Sequence, residues 1–432
     1  MTSAFRLPSR AGIIAVGSEL LTPFRTDTNS LFITSRLNDA GIEVGVKLIV
    51  GDRRDDLLAA LRETMALAGL VIITGGLGPT DDDITREVVA EAFGLPLVED
   101  PAVLGRIRAR FAARGLPMPE INRRQARVPE YARVLPNDHG TAPGLVIARG
   151  RELVVLLPGP PRELEPMFNR LLNDWLADAA APSRLHRRVV ALTGRTESQV
   201  DELAQPVYGR WTAWAPPIAT SILAQPGQIE LHLSTRADTD EAAEALLARA
   251  VRELTAALGE DVFSTDGRPL EEVVGGRLRA RGWHIAVAES CTGGLLASRL
   301  TEVAGSSDYM DSGVVCYSNR AKVELLGVAG ADITRYGAVS NEVGAAMARG
   351  VRERAGVEVG VGITGIAGPG GGSEAKPVGT VVVAVAWPGG EQVRRFRFLG
   401  GRAQVKFQAS QAALDMVRHL LEGPADAAVR GH

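Results

Sequence analysis

The chain has 432 residues, more than one hydrophobic core normally supports, so its length predicts two or three domains. Its 45% hydrophobic and 23% charged residues are typical of soluble globular proteins. The net charge of −3 gives no overall attraction to nucleic acid, and we expect no direct nucleic-acid binding. Because no apolar run approaches the roughly 20 residues of a membrane-spanning helix, and residues 1–10 lack the apolar core of a signal peptide, we expect no membrane association and a cytoplasmic location.

Apolar runs alternate with helical patterns over the first 178 residues. Strands are predicted at 12–16, 45–50, 70–74 and 153–157, and helices at 29–40, 55–68 and after the Pro-rich turn at 158–161. This alternation is typical of a parallel sheet covered by helices. We therefore predict a three-layer α/β domain over residues 1–178.

A glycine-rich segment, TGGLGPTDDDIT at residues 74–85, lies between a predicted strand and a predicted helix. Glycines at such a turn let backbone amides approach an anion, and the helix N-terminus adds favourable dipole charge. The segment therefore predicts a phosphate site. Asp81, Asp82 and Asp83 would repel a bare phosphate, which indicates an intervening divalent cation; the alternative is that an aspartate only caps the helix.

Further motifs of the N-terminal domain accompany this glycine-rich segment: GSELL at 17–21, DTN at 27–29, Asn137, GTAPG at 140–144 and LPGPPRE at 157–163. Together they resemble the molybdopterin-binding fold and, more closely, the N-terminal domain of CinA-type (competence/damage-inducible) proteins. The resemblance implies binding of a nucleotide-like ligand and, in some members, metal-dependent hydrolysis of the pyrophosphate of ADP-ribose. Pterin binding is the alternative.

The resemblance also implies site residues for this domain. A divalent metal ion would be held by Asp83, together with Asp82, Asp27 or Glu163, and would neutralise charge and orient water. The expected ligand contacts are Gly75, Gly76, Gly78, Thr80 and Asn29.

The segment over residues 179–266 has a different pattern. After a linker at 179–183, strands are predicted at 186–192, 219–223 and 228–234, and helices at 197–207 and 240–258. This small α+β domain resembles KH-type units, but it lacks a GxxG loop, so the resemblance does not imply RNA binding. We expect Trp211 and Trp214 to pack in its core.

Residues 267–425 predict a second three-layer α/β domain. The pattern gives helices at 269–281 and 294–303, and strands at 284–288, 313–317, 359–364 and 379–387. Polar, glycine-containing turns follow several of these strands. We expect the site of this domain at those turns.

AESCTGG at residues 288–294 joins a predicted strand to a helix. A serine at this turn is expected to be exposed at the sheet edge, where helix amides could hold an oxyanion or phosphate, which predicts Ser290 as a nucleophile. The alternative is that Ser290 or Thr292 only caps the helix. Cys291 is a competing nucleophile, but beside Glu289 and without a histidine partner we expect a buried, reduced thiol.

Lysine is rare in the chain, with Lys47, Lys322, Lys376 and Lys406 as its only four. Arginine cannot release a proton near neutral pH, whereas a desolvated lysine can. Lys322 ends the motif YSNRAK and is therefore the predicted general base for Ser290, with Tyr317 as a proton relay or orienting group. A Ser-His-Asp triad is not favoured, because no histidine lies in a comparable motif.

A second glycine-rich segment, GITGIAGPGGG at residues 362–372, follows another predicted strand. Its composition favours backbone contact with a ligand, with a mobile surface loop as the alternative. Thr364 could bind a phosphate or an amide. Lys376 and Arg402 are candidates for a phosphate, or else solvated surface charges.

This last domain closely resembles the nicotinamide mononucleotide deamidase domain of CinA proteins, over the motifs at 288–294, 305–307, 317–322, 337–340, 364–370 and 377–379. The resemblance implies an amidohydrolase without a cofactor, acting on nicotinamide mononucleotide, and a homodimer. It implies Ser290, Tyr317 and Lys322 as catalytic residues. The implied ligand contacts are Glu289, Thr292, Gly293, Thr364, Gly365, Gly368 and Arg402.

Two points stay open from the sequence. Lys406 stands where the family pattern leads us to expect an arginine, which leaves its phosphate contact uncertain. The alternative function for the whole chain is a non-catalytic nucleotide- or pterin-binding regulatory protein linked to competence or DNA damage.

Overall fold

The computed structural model describes residues 8–150, 152–178 and 184–423. The chain separates into two compact units, Met1–His186 with Arg236–Glu244, and Arg187–Thr235 with Ala245–His432. The predicted linker at 179–183 lies outside the described residues, and the predicted domain boundaries stay predictions. Among the described helices, none combines the length and apolarity needed to cross a membrane.

The first unit contains a six-stranded sheet between two layers of helices, in the strand order β2-β1-β3-β8-β7-β6. β2, β1, β3 and β8 are parallel, whereas β7 is antiparallel to both of its neighbours. Its strands are β1 (Arg10–Val16), β2 (Glu43–Val50), β3 (Leu70–Thr74), β4 (Leu97–Glu99), β5 (Arg127–Pro129), β6 (Arg133–Leu135), β7 (Gly144–Arg149) and β8 (Glu152–Leu157), with β4 and β5 forming a separate pair. Its helices are α1 (Thr28–Asp39), α2 (Arg54–Leu67), α3 (Thr85–Phe93), α4 (Pro101–Ala112) and α5 (Pro161–Asp178).

Helices cover both faces of this sheet because its central strands are apolar throughout. Every residue of β3 is buried, as expected for a parallel strand covered on both sides. Ile13 and Ile14, consecutive in β1, enter different core clusters because successive side chains of a strand point to opposite faces. The loop after β3 therefore emerges at the sheet edge where the neighbouring parallel strands also end.

A four-stranded sheet in the order β10-β11-β9-β12 follows along the chain, with two helices. The elements are β9 (Arg184–Leu192), α6 (Glu197–Tyr208), β10 (Ile218–Gln225), β11 (Gln228–Ala237), α7 (Asp240–Leu258) and β12 (Val262–Ser264). Trp211 is fully buried, its ring lies 5.7 Å from that of Trp214, and its indole nitrogen donates to Glu253. The predicted packing role of the two tryptophans is confirmed.

The C-terminal sheet has five strands in the order β14-β13-β15-β16-β17, and helices again cover it. β14, β13 and β15 are parallel, and β16 and β17 add an antiparallel hairpin. The strands are β13 (Ile285–Glu289), β14 (Met310–Val315), β15 (Val359–Gly365), β16 (Thr380–Trp387) and β17 (Gly390–Arg397). The helices are α8 (Leu270–Arg281), α9 (Leu295–Glu302), α10 (Asn319–Leu326), α11 (Gly330–Tyr336), α12 (Asn341–Ala355) and α13 (Arg402–Glu422).

The sheet differs from the prediction in two ways. The strand predicted at 313–317 is β14 at Met310–Val315, so Tyr317 follows the strand and does not belong to it. β17 was not predicted, because its charged, mostly exposed residues lack the apolar alternation of a half-buried strand. The mixed α/β fold itself is confirmed.

Helix α12 lies unusually close to strand β15, and glycine allows this approach. A Cβ atom on Gly362 would lie 2.5 Å from the carbonyl oxygen of Gly344 and 2.7 Å from the amide nitrogen of Ala348, both in the α12 backbone. Since backbone cannot rotate away as a side chain can, a methyl group there would push the helix off the sheet that carries the site.

We expect Gly362→Ala to lower the free energy of unfolding by roughly 1–3 kcal/mol, as overpacking of a core does. Gly330→Ala is the control, because a Cβ atom at Gly330 meets no atom within 4 Å. Urea denaturation of the two variants and the parent protein measures the difference. Equal midpoints for all three would contradict the close packing of α12 on β15.

Candidate active site and glycine-loop cleft

Ser290 directly follows strand β13 at the carboxyl end of the parallel strands. Its amide donates to the carbonyl of Ile363 on the neighbouring β15 over 2.9 Å, which extends the sheet pairing by one residue. The residue is only 7% exposed. The expectation of a serine exposed at the sheet edge is therefore corrected to a largely buried hydroxyl, because the side chain of Lys322 packs against it.

Lys322 approaches Ser290 from helix α10. Ser318 caps this helix by accepting from the amide of Ala321, and one turn later the Lys322 side chain points inward and is 1% exposed. Its Nζ lies 3.0 Å from Ser290 Oγ, 2.9 Å from the Cys316 carbonyl oxygen and 3.3 Å from that of Tyr317. The fold thus brings together two residues that are 32 positions apart in the sequence.

The surroundings of Lys322 favour its neutral form. Burial lowers the pKa of the ammonium group, while the nearby thiols and the Tyr317 phenol act weakly in the opposite direction. Within the described residues, no carboxylate contacts Nζ. A neutral amine has two N–H groups, enough for the two carbonyl oxygens, and its lone pair remains for the Ser290 hydroxyl.

Glu289 is the acidic residue nearest in sequence to this pair, but its carboxylate points away from it. The carboxylate is buried and accepts from the amides of Gly294, Leu296 and Ala297 over 2.8–3.1 Å. Glu289 therefore satisfies the N-terminus of α9, and the predicted substrate contact is corrected to this structural role. Neither Ser290 nor Thr292 caps the helix, since Gly294 is its N-cap residue.

Tyr317 does not join the Ser290–Lys322 pair through its hydroxyl. The side chain is 62% exposed, and its hydroxyl accepts from an Arg402 guanidinium nitrogen over 3.3 Å. The other terminal nitrogen of Arg402 donates to the Gly368 carbonyl over 2.8 Å. Of the two predicted roles of Tyr317, the relay has no hydroxyl contact in this structure, whereas the backbone carbonyl of Tyr317 helps to orient Lys322.

The two cysteines lie next to the pair but are poor nucleophiles. Burial raises the pKa of the Cys291 thiol to about 12, and it also raises the pKa of Cys316. Both thiols are buried and neither forms a disulfide. The prediction of a buried thiol at Cys291 is confirmed, and Ser290 is the better-placed nucleophile.

Three of the predicted ligand contacts have other partners. The Thr364 hydroxyl donates to the Ala338 carbonyl over 2.8 Å, and the Lys376 Nζ donates to the Tyr336 carbonyl over 2.8 Å. A Cβ atom on Gly365 would meet Val381 and the carbonyl of Thr380, so sheet packing already requires this glycine. These contacts order the loop around Gly368, and the phosphate contact of Lys376 stays a prediction, since one of its three N–H groups is used.

Cations from the first turns of α13 remain close to the serine turn. Gly293 has a left-handed backbone (φ 63°), and a Cβ atom there would lie 3.8 Å from Lys406 Nζ. The Thr292 hydroxyl is buried without a hydrogen-bond partner. In the described part of the chain, the amides of residues 291–293 have no acceptor either. The turn therefore offers unused donors beside a positive charge.

The second candidate site is a cleft of about 380 Å³ at the carboxyl end of strands β1, β3 and β8. Gly75, Gly76 and Gly78 line it, as predicted, and residues of the loops before α2 and α5 line it too. The acidic residues of its wall are Glu19, Asp52, Asp82, Asp83 and Glu163.

The glycine loop of this cleft is held through its carbonyl groups. Arg86 is fully buried behind the loop and donates to the carbonyls of Leu77 and Gly78, while Thr85 donates to that of Gly75. In the described residues, the amides of Gly76, Leu77 and Gly78 have no acceptor. With their carbonyls bound behind, these amides are available to an anion in the cleft.

The four predicted metal ligands are not gathered into one cluster. The described chain contains no group of three or more His, Cys, Asp or Glu side chains arranged to hold an ion. Asp83 accepts from the amide and hydroxyl of Thr80, and Glu163 accepts from Asn137. Asp27 caps α1 through the amide of Ser30 and does not line the cleft, so its predicted metal role is corrected.

The remaining predicted contacts of this cleft have structural partners. Asn29 donates through Nδ2 to the Gly159 carbonyl over 2.7 Å, whereas its Oδ1 is buried without a partner. Thr80 binds Asp83 and does not itself line the cleft. The residues present therefore fit a divalent ion only where ligand phosphates complete its coordination with Asp82, Asp83 or Glu163, as Mg²⁺ sites in proteins often do.

Two groups near the active site escaped prediction. The Cys316 carbonyl is a backbone group and leaves no mark in the sequence. Arg299 is a buried cation on α9, next to the buried Leu300. A charged residue within an apolar helix face was a visible signal, since such residues are buried only when paired.

Fold and site thus define an α/β protein that has a buried Ser–Lys pair on one sheet and a glycine loop with unpaired amides on another. The sequence matches "CinA C-terminal domain" over residues 267–421, "Probable molybdopterin binding domain" over 12–178 and "Damage-inducible protein CinA KH domain" over 187–264. The chain belongs to the CinA family, and the predicted resemblance is confirmed.

Relatives match along nearly the whole chain. A CinA-like protein of Koribacter versatilis is 47% identical over 415 residues, 95% of this chain and 99% of that protein. Another from Solibacter usitatus is 44% identical over 413 residues, 96% and 98% of the two chains. A solved competence/damage inducible protein from Agrobacterium tumefaciens is 39% identical, covers 36% of this chain and 98% of its own, and has a TM-score of 0.34.

Proposed function

We propose that the C-terminal domain hydrolyses the carboxamide of nicotinamide mononucleotide to nicotinate mononucleotide and ammonia. The observation that carries this proposal is the 3.0 Å contact between Lys322 Nζ and Ser290 Oγ, made by a buried lysine without a carboxylate partner. An unpaired buried lysine is costly as a cation and useful as a base. A serine hydroxyl needs such a base to attack an amide at neutral pH.

The proton and bonding changes follow from this geometry. As Ser290 Oγ bonds to the carboxamide carbon, neutral Lys322 takes the hydroxyl proton. When the C–N bond breaks, Lys322 returns that proton to the leaving nitrogen, which departs as ammonia and leaves an ester on Ser290. Water then attacks the ester, Lys322 takes a proton from it, and the released serine recovers its hydroxyl.

Charge on the carbonyl oxygen during both attacks needs donors that are already in place. The unpaired amides of the turn at residues 291–293 meet this need, because they lie directly after the nucleophile and before α9. Glu289 supports the arrangement without touching the substrate: by binding the first amides of α9, it holds the turn in its conformation.

The charges near the turn suit a substrate with a phosphate group. Arg402 and Lys406 lie in the first two turns of α13, and an arginine or lysine pair at a helix N-terminus is a common phosphate site. Arg402 also accompanies Tyr317, whose exposed ring offers a surface for an aromatic base. We assign the 5′-phosphate to these cations.

Ser290→Ala should abolish ammonia release from nicotinamide mononucleotide, with a loss of several orders of magnitude, as removal of one member of a nucleophile–base unit typically causes. Cys291→Ala is the matched control and should keep most of the activity, because it removes only a packed thiol. A coupled ammonia assay measures both. An inactive Cys291→Ala beside an active Ser290→Ala would reverse the assignment, and no release by the parent protein would favour a non-catalytic nucleotide-binding role.

Lys322→Arg should be nearly as inactive as Lys322→Ala, because a guanidinium group keeps the charge but cannot accept the proton. For the parent protein, kcat/KM should rise with pH as the ammonium loses its proton. The midpoint should lie below the roughly 10.4 of an ordinary lysine, since burial lowers this pKa. Rate measurements between pH 6 and about 10 test this. Substantial activity in Lys322→Arg would make Lys322 an electrostatic anchor.

A second proposed activity is hydrolysis of the pyrophosphate of ADP-ribose in the N-terminal cleft. The free amides of Gly76, Leu77 and Gly78 favour an anionic ligand, and the acidic wall favours one that arrives with a cation. A bound divalent ion would neutralise phosphate charge and lower the pKa of a water. The loop amides would orient the pyrophosphate, and Asp83, with Asp82 or Glu163, would hold the ion.

A chelator should therefore stop AMP release from ADP-ribose and leave ammonia release from nicotinamide mononucleotide largely intact. Asp83→Ala should reproduce the chelator, whereas Asp81→Ala should not, because the Asp81 side chain is fully exposed and does not line the cleft. Both products are measured in the same preparation. Equal loss of both activities on chelation would exclude two independent sites, and no AMP with any divalent metal would return the domain to pterin or nucleotide binding.

A further inference from the structure

Arg299 forms a buried polar cluster between three helices of the C-terminal domain. Its guanidinium group pairs with Glu271 of α8 over 2.8 Å and donates to Ser410 and Gln411 of α13 over 2.8 and 2.7 Å. It also lies over the Phe407 ring, 4.7 Å from its centroid. Most of its polar atoms thus have partners, and these come from two neighbouring helices.

The helices joined by Arg299 carry the two halves of the proposed site. Helix α9 begins at the turn after Ser290, and α13 begins with Arg402 and Lys406. Since residues three and four apart share one face of a helix, Lys406 is followed on its side of α13 by Ser410, which Arg299 binds. A shift of α9 along α13 would change the spacing between the nucleophile and the phosphate-binding cations.

The cluster continues into the middle sheet. The Gln411 amide nitrogen donates to Gln228, the first residue of β11, over 3.2 Å. A Cβ atom on Gly227, in the turn between β10 and β11, would lie 3.4 Å from a side-chain atom of Gln408. This turn therefore rests on α13 near the Arg299 cluster.

We propose that Arg299 is a positioning residue that sets the spacing between Ser290 and the phosphate-binding turn of α13, and that the β10–β11 turn supports it through Gln411. This inference rests on the proposed amidase function and its phosphate assignment. It predicts a defect specific to the phosphate group of the substrate. The turn after Ser290 keeps its own anchor in Glu289, so the chemistry at the amide is preserved.

Arg299→Met keeps the apolar stem and removes the donors. It should raise KM for nicotinamide mononucleotide by about tenfold to hundredfold, as displacement of a bound group by roughly 1 Å can. The kcat/KM for nicotinamide riboside, which has no phosphate, should change by less than about twofold. Where riboside turnover is slow, competitive inhibition by ribose 5-phosphate and by ribose gives the same comparison.

Arg418→Met is the matched control. Arg418 is buried like Arg299 and pairs with Asp415 and Glu422, but it lies near the far end of α13, away from Arg402 and Lys406. It should lower the melting temperature without a phosphate-specific effect. Gln411→Met is the substitute if Arg299→Met fails to fold, because it keeps the side-chain volume and the Arg299–Glu271 pair. It should raise KM for nicotinamide mononucleotide by a smaller factor, again without changing kcat/KM for the riboside.

The outcomes separate the inference from the proposed function. Ammonia release absent from the parent protein overturns the proposed function. If the parent protein is active, two results overturn the positioning role. One is that Arg299→Met and Gln411→Met affect the phosphorylated and the unphosphorylated substrate equally. The other is that Arg418→Met also shows a phosphate-specific defect. Gln228→Ala should raise KM for nicotinamide mononucleotide but not for the riboside. An unchanged KM for the nucleotide overturns the contribution of the middle sheet.

Discussion

Lys322 is buried and has no counter-ion among the described residues, and this is the constraint on which the rest of the C-terminal site depends. A charged amine there would lose its hydration without gaining a carboxylate, so the fold favours the neutral form. Two carbonyl oxygens and one hydroxyl surround Nζ, which matches the two N–H groups and one lone pair of an amine. In the proposed mechanism, the same contacts would orient Lys322 and aim its lone pair at Ser290.

This arrangement requires that the nearby acid be kept out. Glu289 immediately precedes Ser290, and an ion pair with Lys322 would raise the lysine pKa and remove the base. The first amides of α9 instead bind its carboxylate, because an uncapped helix N-terminus attracts an anion. One residue thereby stabilises the helix start and leaves the Ser–Lys pair without a competing charge.

The N-terminal cleft meets a similar requirement with the opposite charge. To bind the proposed anionic ligand, its loop would present amides in spite of the neighbouring aspartates. The buried guanidinium of Arg86 draws the loop carbonyls to the rear and places positive charge behind the amides. Burial and an acidic neighbourhood act against each other on Arg86, and burial is the larger effect, lowering its pKa. In both domains, therefore, hydrogen bonds made by residues that do not face the site determine which groups the site presents to a ligand.

The sequence determined many of the strands and helices, the mixed α/β fold and the loops that carry chemistry. Apolar periodicity and glycine-rich turns are local signals, and Ser290, Lys322 and the loop at 74–85 could be found from them. Only the tertiary structure decided how the side chains are used. In the folded chain, Glu289 binds the first amides of α9, and Asp27 caps α1. The Tyr317 hydroxyl accepts from Arg402, and Arg299 is enclosed between helices. These roles depend on contacts between residues far apart in the chain, and on competition among hydrogen-bond partners that no local pattern records.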